Sequence, residues 1–388
     1  MAAGRLVFSQ LMDLVTMHDF HTCVARYRGH RKVKSFSCWD QYLCMVFAQL
    51  TYRESLRDIE ACLRAVSSKL YHAGFRGKVS RNTLANANAK RDWRIYRDFA
   101  HLLIAEARKL YAGESLSADL VNTVYALDST TIDLCLSLCP WARYRKQDAG
   151  IKVHTMLDLR GNIPTLRIIT GAQIHDVTIL DRLFFEPGAF YVVDRGYLDY
   201  ARLYRIHQEK AWFVVRAKKN LVYRRQHSQQ VEKESGVMSD QIILLTNRST
   251  CRRYPEKLRR IRCYDVEKDS RITLLTNDMI LPSGTIADLY RARWQIEIFF
   301  RWIKQNLRIK RFYGTSKNAV KTQIWIALSV YVTVAILKKR SDLEPSLSSL
   351  LQVPSLTLFE KEPIKQLLTI DEYRTEQTHD RNQLVLFN

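Results

Sequence analysis

Residues 288–307 read DLYRARWQIEIFFRWIKQNL. Within them Tyr290, Arg293, Glu297 and Lys304 follow the spacing Y-x2-R-x3-E-x6-K. At roughly 100° per residue on a helix, these four side chains fall in a stripe about 60° wide. One acid is thereby held between two cations and a phenol. That is the layout of a helix presenting a metal-binding carboxylate to a phosphodiester. Arg293 and Glu297 are also an i,i+4 pair, and a charge run is usually a solvated helix face. Here the adjacent stripe of Leu289, Ile296, Phe300, Ile303 and Leu307 is apolar, and Phe299 and Trp302 lie beyond it. A helix this apolar is expected to be buried, with its charged stripe on a cleft.

The rest of the chain supplies charge and size. Its 388 residues suffice for two or three domains, and 47% hydrophobic content excludes wholesale disorder. Lys and Arg total 61 against 39 acids, a net charge of +22, which points to a polyanion partner. Eight cysteines occur with no C-x2-C pair and no zinc spacing, so they read as reduced thiols of a cytoplasmic protein. The N-terminus lacks the three-part pattern of a signal peptide. The apolar run from Ile324 to Leu337 carries Ser and Thr and is too short to span a bilayer, so it reads as a buried helix.

Residues 1–118 read as a helical N-terminal domain. Trp39 to Leu50 has helical apolar spacing, and Ser55 with Asp58 forms a capping box for SLRDIEACLRAV. After the glycine-bearing HAGFRGKV, Ser80 can cap a helix RNTLANANAKRDWRIYRDF. The pair is compatible with a helix-turn-helix whose second helix offers Arg81, Asn82, Thr83 and Asn86 to base edges. A helical bundle with a polar surface accounts for the same pattern. From about residue 119 the pattern becomes mixed α/β. TVYALDS is a short strand ending in an acid, and IKVHTMLDL and IPTLRIIT form a hairpin across Arg-Gly-Asn. HDVTILDRLFF is helical, AFYVVD is a buried strand ending in an acid, and DYARLYRIHQEK is helical again. From Trp212 to Asn277 the chain is β-rich and basic. The segment from 341 to 388 is a polar tail whose LTLFEKEPIKQLL could pack on the body or on a second subunit.

Asp128 and Asp194 each follow a buried strand, where ligands of α/β folds collect. With Glu297 they could converge on one point. Three such carboxylates repel one another unless cations intervene. Hard oxygen ligands suit Mg²⁺ or Mn²⁺, and two ions about 4 Å apart can serve both the attacking and the leaving oxygen. Taken alone, Asp128 also reads as a turn residue in Asp-Ser-Thr-Thr and Asp194 as the first residue of the turn DRGY. Asp133, Asp148, Asp158 and Asp176 compete for the same roles.

LDST around Asp128, VDRGY around Asp194 and the Y-R-E-K helix together resemble the DDE transposases of bacterial insertion sequences, and more narrowly the insertion-sequence-four family. The phrases GIKVHTMLDLRGNIP and VSRNTL…AKRDWRIYRDF are similar to one branch of it. The resemblance runs from about residue 5 to 340. It implies an α/β, ribonuclease-H-like catalytic core at 119–340, interrupted by a mainly β insertion at 211–280. It implies Asp128, Asp194 and Glu297 as catalytic metal ligands, and Tyr290, Arg293 and Lys304 as contacts to DNA phosphates. The implied partners are double-stranded DNA, both terminal inverted repeats and target, with a dimer in the synaptic complex. Arg81, Asn82 and Asn86 would read the repeats. No membrane partner is expected. One departure concerns a Trp that hairpin-forming relatives carry in the strand before the Y-R-E-K helix. Ile272 stands there instead, and Trp212 could substitute spatially. His154 and His175 read as satisfied core or supporting histidines. A metal-dependent nuclease or resolvase of the same fold, a non-catalytic DNA-binding derivative and a basic RNA-binding scaffold are the competing readings.

Overall fold

The computed structural model describes residues 4–116, 120–231, 236–265, 270–306 and 312–368. Helices α1 (Val7–Met12), α2 (Met17–Arg26), α3 (Cys38–Leu50), α4 (Leu56–Ala65), α5 (Ser67–Leu70), α6 (Arg81–Lys90) and α7 (Arg94–Leu110) form the N-terminal region. Ser37 starts α3 with a reciprocal capping box to Asp40. Ser55 and Ser80 accept the N–H groups of Asp58 and Thr83, as their positions predict. Asp58 reaches the backbone of Glu54 at 3.1 Å, so the box expected at Ser55 is closed one residue early.

Two expectations change here. The long helix foreseen after Ser80 stops at Lys90, because Arg91 is extended (φ −72°, ψ 136°). Asn318 caps the break by donating to the carbonyls of Asn88 (2.9 Å) and Arg91 (2.6 Å). The connection between α4 and α6 spans 66–80 and contains α5, far longer than the three or four residues of a helix-turn-helix. Gly77 packs so closely on the backbone of Ser35 and Phe36 that a Cβ would not fit.

The α/β part is one nine-stranded sheet in the order β3-β2-β1-β4-β5-β9-β8-β7-β6. Strands β1 (Val124–Leu134), β2 (Ala149–Asp158) and β3 (Ile163–Gly171) form an antiparallel meander. β4 (Phe190–Val193) joins β1 in parallel. After α8 (Tyr200–Gln208), β5 (Trp212–Arg216) joins β4 in parallel. Then β6 (Tyr223–Gln229), β7 (Val237–Leu245), helix α9 (Arg248–Arg253), β8 (Leu258–Asp265) and β9 (Ser270–Thr276) extend the sheet antiparallel. The β-rich stretch drawn from residue 211 therefore begins one strand too early: Trp212–Arg216 belongs with the parallel strands. HDVTILDRLFF forms a 3₁₀ turn over Asp176–Arg182 rather than an α-helix.

Helices α10 (Ser283–Ala292), α11 (Trp294–Asn306) and α12 (Lys317–Arg340) follow, then α13 (Leu347–Thr357) and α14 (Ile364–Leu368). α12 is the buried helix expected from Ile324–Leu337. It packs on α3, α6, α7 and β3 and so joins the helical region to the sheet. It is also the one helix, among the described residues, long and apolar enough to cross a membrane, and 94% of its most apolar window is buried in the protein. Trp325→Ala, deep in that joint at 2% exposure, should cost about 3–5 kcal/mol of stability, read as a lower urea midpoint. The segment LTLFEKEPIKQLL packs on the body: the carbonyls of Leu358 and Glu360 accept the N–H groups of Phe8 and Val7, two of the open donors at the start of α1. Residues 369–388 of the tail lie outside the described residues.

Candidate active site

Register brings the first two acids together. Leu127 in β1 lies opposite Val193 in β4, so Asp128 and Asp194 are the next residues on neighbouring parallel strands, about 4.8 Å apart. Side chains alternate faces along a strand. Asp128 therefore shares a face with Val124 and Ala126, and Asp194 shares it with Phe190 and Val192, all in the core that α10–α12 cover. α11 packs directly on β1 and brings Glu297 in its first turn. The strand does not end at Asp128. It runs on to Leu134 paired with β2, which excludes the turn reading. Asp194 stands at the N-cap of a 3₁₀ turn, Arg195–Tyr197, without a side-chain cap bond.

The opening helix is in fact two. The backbone tightens at Arg293, whose N–H donates to Tyr290 O and whose O accepts from Ile296, both across three residues. The apolar stripe is buried as expected: Leu289 2%, Ile296 0%, Phe300 7% and Ile303 1% exposed. Leu307 lies outside the described residues. At the junction the Arg293 guanidinium bridges two acids. Its Nη2 is 2.7 Å from Glu297 Oε1 and its Nη1 is 3.6 Å from Asp128 Oδ2. Tyr290 donates its hydroxyl to Asp194 Oδ1 at 3.3 Å. Lys304 lies seven residues after Glu297 on α11, about 10 Å along its axis.

Burial pushes the Asp128 carboxyl up to about 6; Glu297 and Asp194 add to the shift, while the Ser129 N–H and Arg293 oppose it. Burial is thus the main penalty on the charged form of Asp128, and Arg293 offsets only part of it. Burial likewise pushes the Tyr290 phenol up to about 12, so it remains a donor at neutral pH. Because the fold favours protonated Asp128, its stability contribution is complete below the unfolded value near 3.8 and is lost as pH rises through about 6. Asp128→Asn should therefore unfold about 1–3 kcal/mol harder than the native chain at pH 7.5 without divalent ions, and gain nothing at pH 4, in urea titrations.

The competing acids are placed elsewhere. Asp176 lies on the opposite face of the sheet, where it accepts from Ser129 Oγ (2.6 Å) and pairs with Lys152 (3.2 Å). Asp158 is buried in ion pairs with Arg160 and Arg108. Asp133 and Asp148 are exposed near the far end of the β1–β2 hairpin. His154 is fully buried, bonded to Thr170 Oγ1 at 2.9 Å, and burial pushes its imidazole down to about 4. His175 is exposed, so it is not the core residue foreseen. Trp212 stacks on Phe190 (centroids 5.0 Å apart) at the opposite end of β4 and β5 from Asp194, so it cannot stand in at the site.

One residue was missed. Arg216 ends β5 one position after Val215, which pairs with Val193, so Asp128, Asp194 and Arg216 stand in a row across three parallel strands. Its charge reaches Tyr290. The signal was available in WFVVR, a buried strand closing on a charged residue just as AFYVVD does. The donor set fits hard divalent cations in kind, being carboxylate oxygens brought to one face of the sheet. Among the described residues, no three His, Cys, Asp or Glu side chains are gathered closely enough to hold an ion. Arg293 bridges two of the acids instead.

An antiparallel meander followed by two parallel strands, with acids in register and a third on a covering helix, defines a ribonuclease-H-like α/β protein. The family model described as "Transposase DDE domain" matches residues 120–333, and "Domain of unknown function (DUF4372)" matches residues 3–76. "Putative transposase y4zB" of Sinorhizobium fredii is 35% identical over 65% of this chain and 70% of its own length. "Probable transposase for insertion sequence element IS5377" of Geobacillus stearothermophilus is 30% identical over 53% of this chain and 54% of its own. "Putative transposase for insertion sequence element IS4SA" of Synechocystis is 24% identical over 67% and 72%. A piggyBac transposase synaptic complex with hairpin DNA aligns at a TM-score of 0.45 and 10% identity, covering 93% of this chain and 80% of that one. The chain belongs to the DDE transposases of the insertion-sequence-four type.

Proposed function

We propose that this transposase moves its element by cut-and-paste, with Asp128, Asp194 and Glu297 as the cutting centre. The observation that carries the reading is the strand register, which sets Asp128 beside Asp194 on the face covered by α11. In this reading the three carboxylates hold two divalent ions, Mg²⁺ or Mn²⁺. Bound there, the ions would lower the pKa of the attacking water or hydroxyl and neutralise the leaving oxygen. The chain's own residues do the positioning. Tyr290 is a protonated donor. Arg293 is a fork whose Nε is buried and, among the described residues, has no hydrogen-bond partner; a phosphate oxygen would supply one. Lys304 is a point charge further along the DNA. Once Asp128 and Glu297 turn to the ions, the Arg293 fork is free for the phosphodiester.

Recognition of the inverted repeats is assigned to Arg81, Asn82 and Asn86 on α6. Asn82 and Asn86 are exposed one turn apart and Arg81 is half-buried. The basic edge formed by Arg224 and Arg225 of β6 with Arg248, Arg252 and Arg253 around α9 would add sequence-independent grip. Two ends must be held together, so the working form on DNA is at least a dimer. Replacing Asn82 and Asn86 with Ala should cut discrimination between the element end and unrelated duplex by about 1–3 kcal/mol per lost base contact, with the salt slope unchanged. Competition binding at two salt concentrations reads both quantities.

The test of the function is a labelled duplex carrying the inverted repeat and its flank, incubated with Mg²⁺. Release of a 3′-hydroxyl end that then joins a second duplex supports the reading. Nicking without joining identifies a nuclease, and binding without cutting identifies a non-catalytic relative.

A further inference from the structure

The β1–β2 hairpin does not stop at the acids. From Asp128, opposite Thr155, its pairing continues to Leu134, opposite Ala149, about 20 Å further along the strand. β3 accompanies it as far as Gly171, while β4 ends its pairing at Leu127. A three-stranded ribbon therefore projects beyond the site. Asp128 and Ile132 share a face, and the partner of Ile132, Ile151, lines a cleft of about 290 Å³ on that face.

One wall of the cleft is Trp141, Ala142 and Arg143 at the hairpin tip; Arg145 and Lys146, exposed on the same tip, stand just outside the lining. Arg143 donates to the carbonyls of Arg145 and Lys146, both at 3.2 Å, which shapes the tip. The other wall is the start of α12, with Lys317 exposed and Lys321 half-buried. Trp141 Nε1 donates to Thr315 O at 2.8 Å and ties the walls together. The acids nearby are Asp133 and Asp148, both exposed, and Asp148 is only loosely paired with Arg145 at 3.9 Å. Burial pushes the Lys321 ammonium down, and the neighbouring charges of Lys317 and Arg97 push it further. The Lys321 ammonium lies over the Trp93 ring, 4.2 Å from its centroid, so the anion-binding charge of this wall is chiefly the exposed Lys317.

We propose that this cleft holds the sugar–phosphate backbone of duplex DNA about four to six base pairs from the phosphodiester at Asp128, the separation following from four to six strand residues at about 3.3 Å each and about 3.4 Å per base pair. The inference rests on the three acids being the cutting centre. The duplex is either the flank of the element end or the target, and both present the same phosphate chemistry.

The experiment measures the slope of log K against log salt for two duplexes, an element end with its flank and an unrelated target, using the full chain with Arg143, Arg145 and Lys146 all changed to Gln. Each lost phosphate contact should lower the slope by about 0.9, so a fall of roughly two to three is expected with at least one duplex, and that duplex is the occupant. A second variant, Lys317→Gln with Lys321→Gln, tests the opposite wall on the rigid helix and should lower the same slope by roughly one to two. Thermal melting shows whether each variant is folded. If the unaltered chain cuts its end in Mg²⁺ but folded variants keep its slopes on both duplexes, the cleft is not a DNA site and the function stands. An unaltered chain that does not cut overturns the functional reading itself.

Discussion

A Glu297→Gln chain, given its own element end and Mg²⁺, cuts at least about 1,000-fold more slowly than the unaltered chain and binds that end within about threefold as tightly. The change keeps the shape of the side chain and removes one unit of negative charge. Glu297 sits in the first turn of α11 and already pairs with Arg293 at 2.7 Å, so Gln can hold a hydrogen bond there and the helix should stay in place. What is lost is an anionic oxygen for a divalent ion. Asp128→Asn and Asp194→Asn should behave alike, because register makes them neighbours in one centre. Non-additivity is part of the expectation: the triple variant is no slower than the worst single one, as residues acting as a unit require. Cleavage surviving in Glu297→Gln would place the third acid elsewhere.

The second large effect is at Arg293. It is 8% exposed and bridges Asp128 and Glu297. Arg293→Met keeps much of the bulk but leaves two partly buried carboxylates facing each other. Removing one partner of a buried pair typically costs about 3–5 kcal/mol. Since Asp128 and Glu297 are 24% and 33% exposed, solvent screening should bring the loss to roughly 2–3 kcal/mol in EDTA. If the same acids receive divalent ions, Mg²⁺ should return most of that stability, while cutting stays about 100-fold or more down because the phosphate fork is gone. A stability loss identical in EDTA and in saturating Mg²⁺ would show that the ions and Arg293 do not share these acids.

The helix carrying Tyr290, Arg293, Glu297 and Lys304 could be read because its signal is local: four polar residues on one stripe beside an apolar one. The strands leading to Asp128 and Asp194 were legible from their apolar runs. That the two acids are adjacent follows from parallel pairing of β1 with β4, a contact between segments some 66 residues apart that periodicity does not encode. The same holds for the break at Arg91. Asp92 does accept the Arg94 N–H at the start of α7, a local signal in AKRDWRIYRDF, but the groups that close the preceding helix come from Asn318 on α12. The apolar run of TVYALDS ends at Asp128, which places the strand end there, although Thr130, Thr131 and Ile132 are β-branched and carry the strand on. That Trp212 lies far from the site follows from its pairing with Phe190 at the opposite end of β4, which its own neighbours in sequence do not encode.

The central claim is that Asp128, Asp194 and Glu297 together form a divalent-ion centre. Its most direct measurement is Mn²⁺ bound to the complex of chain and element end, read from the free-ion resonance signal. The account predicts about two more ions per chain for the unaltered protein than for the Asp128→Asn, Asp194→Asn, Glu297→Gln triple variant. Equal Mn²⁺ uptake by the two complexes would contradict it.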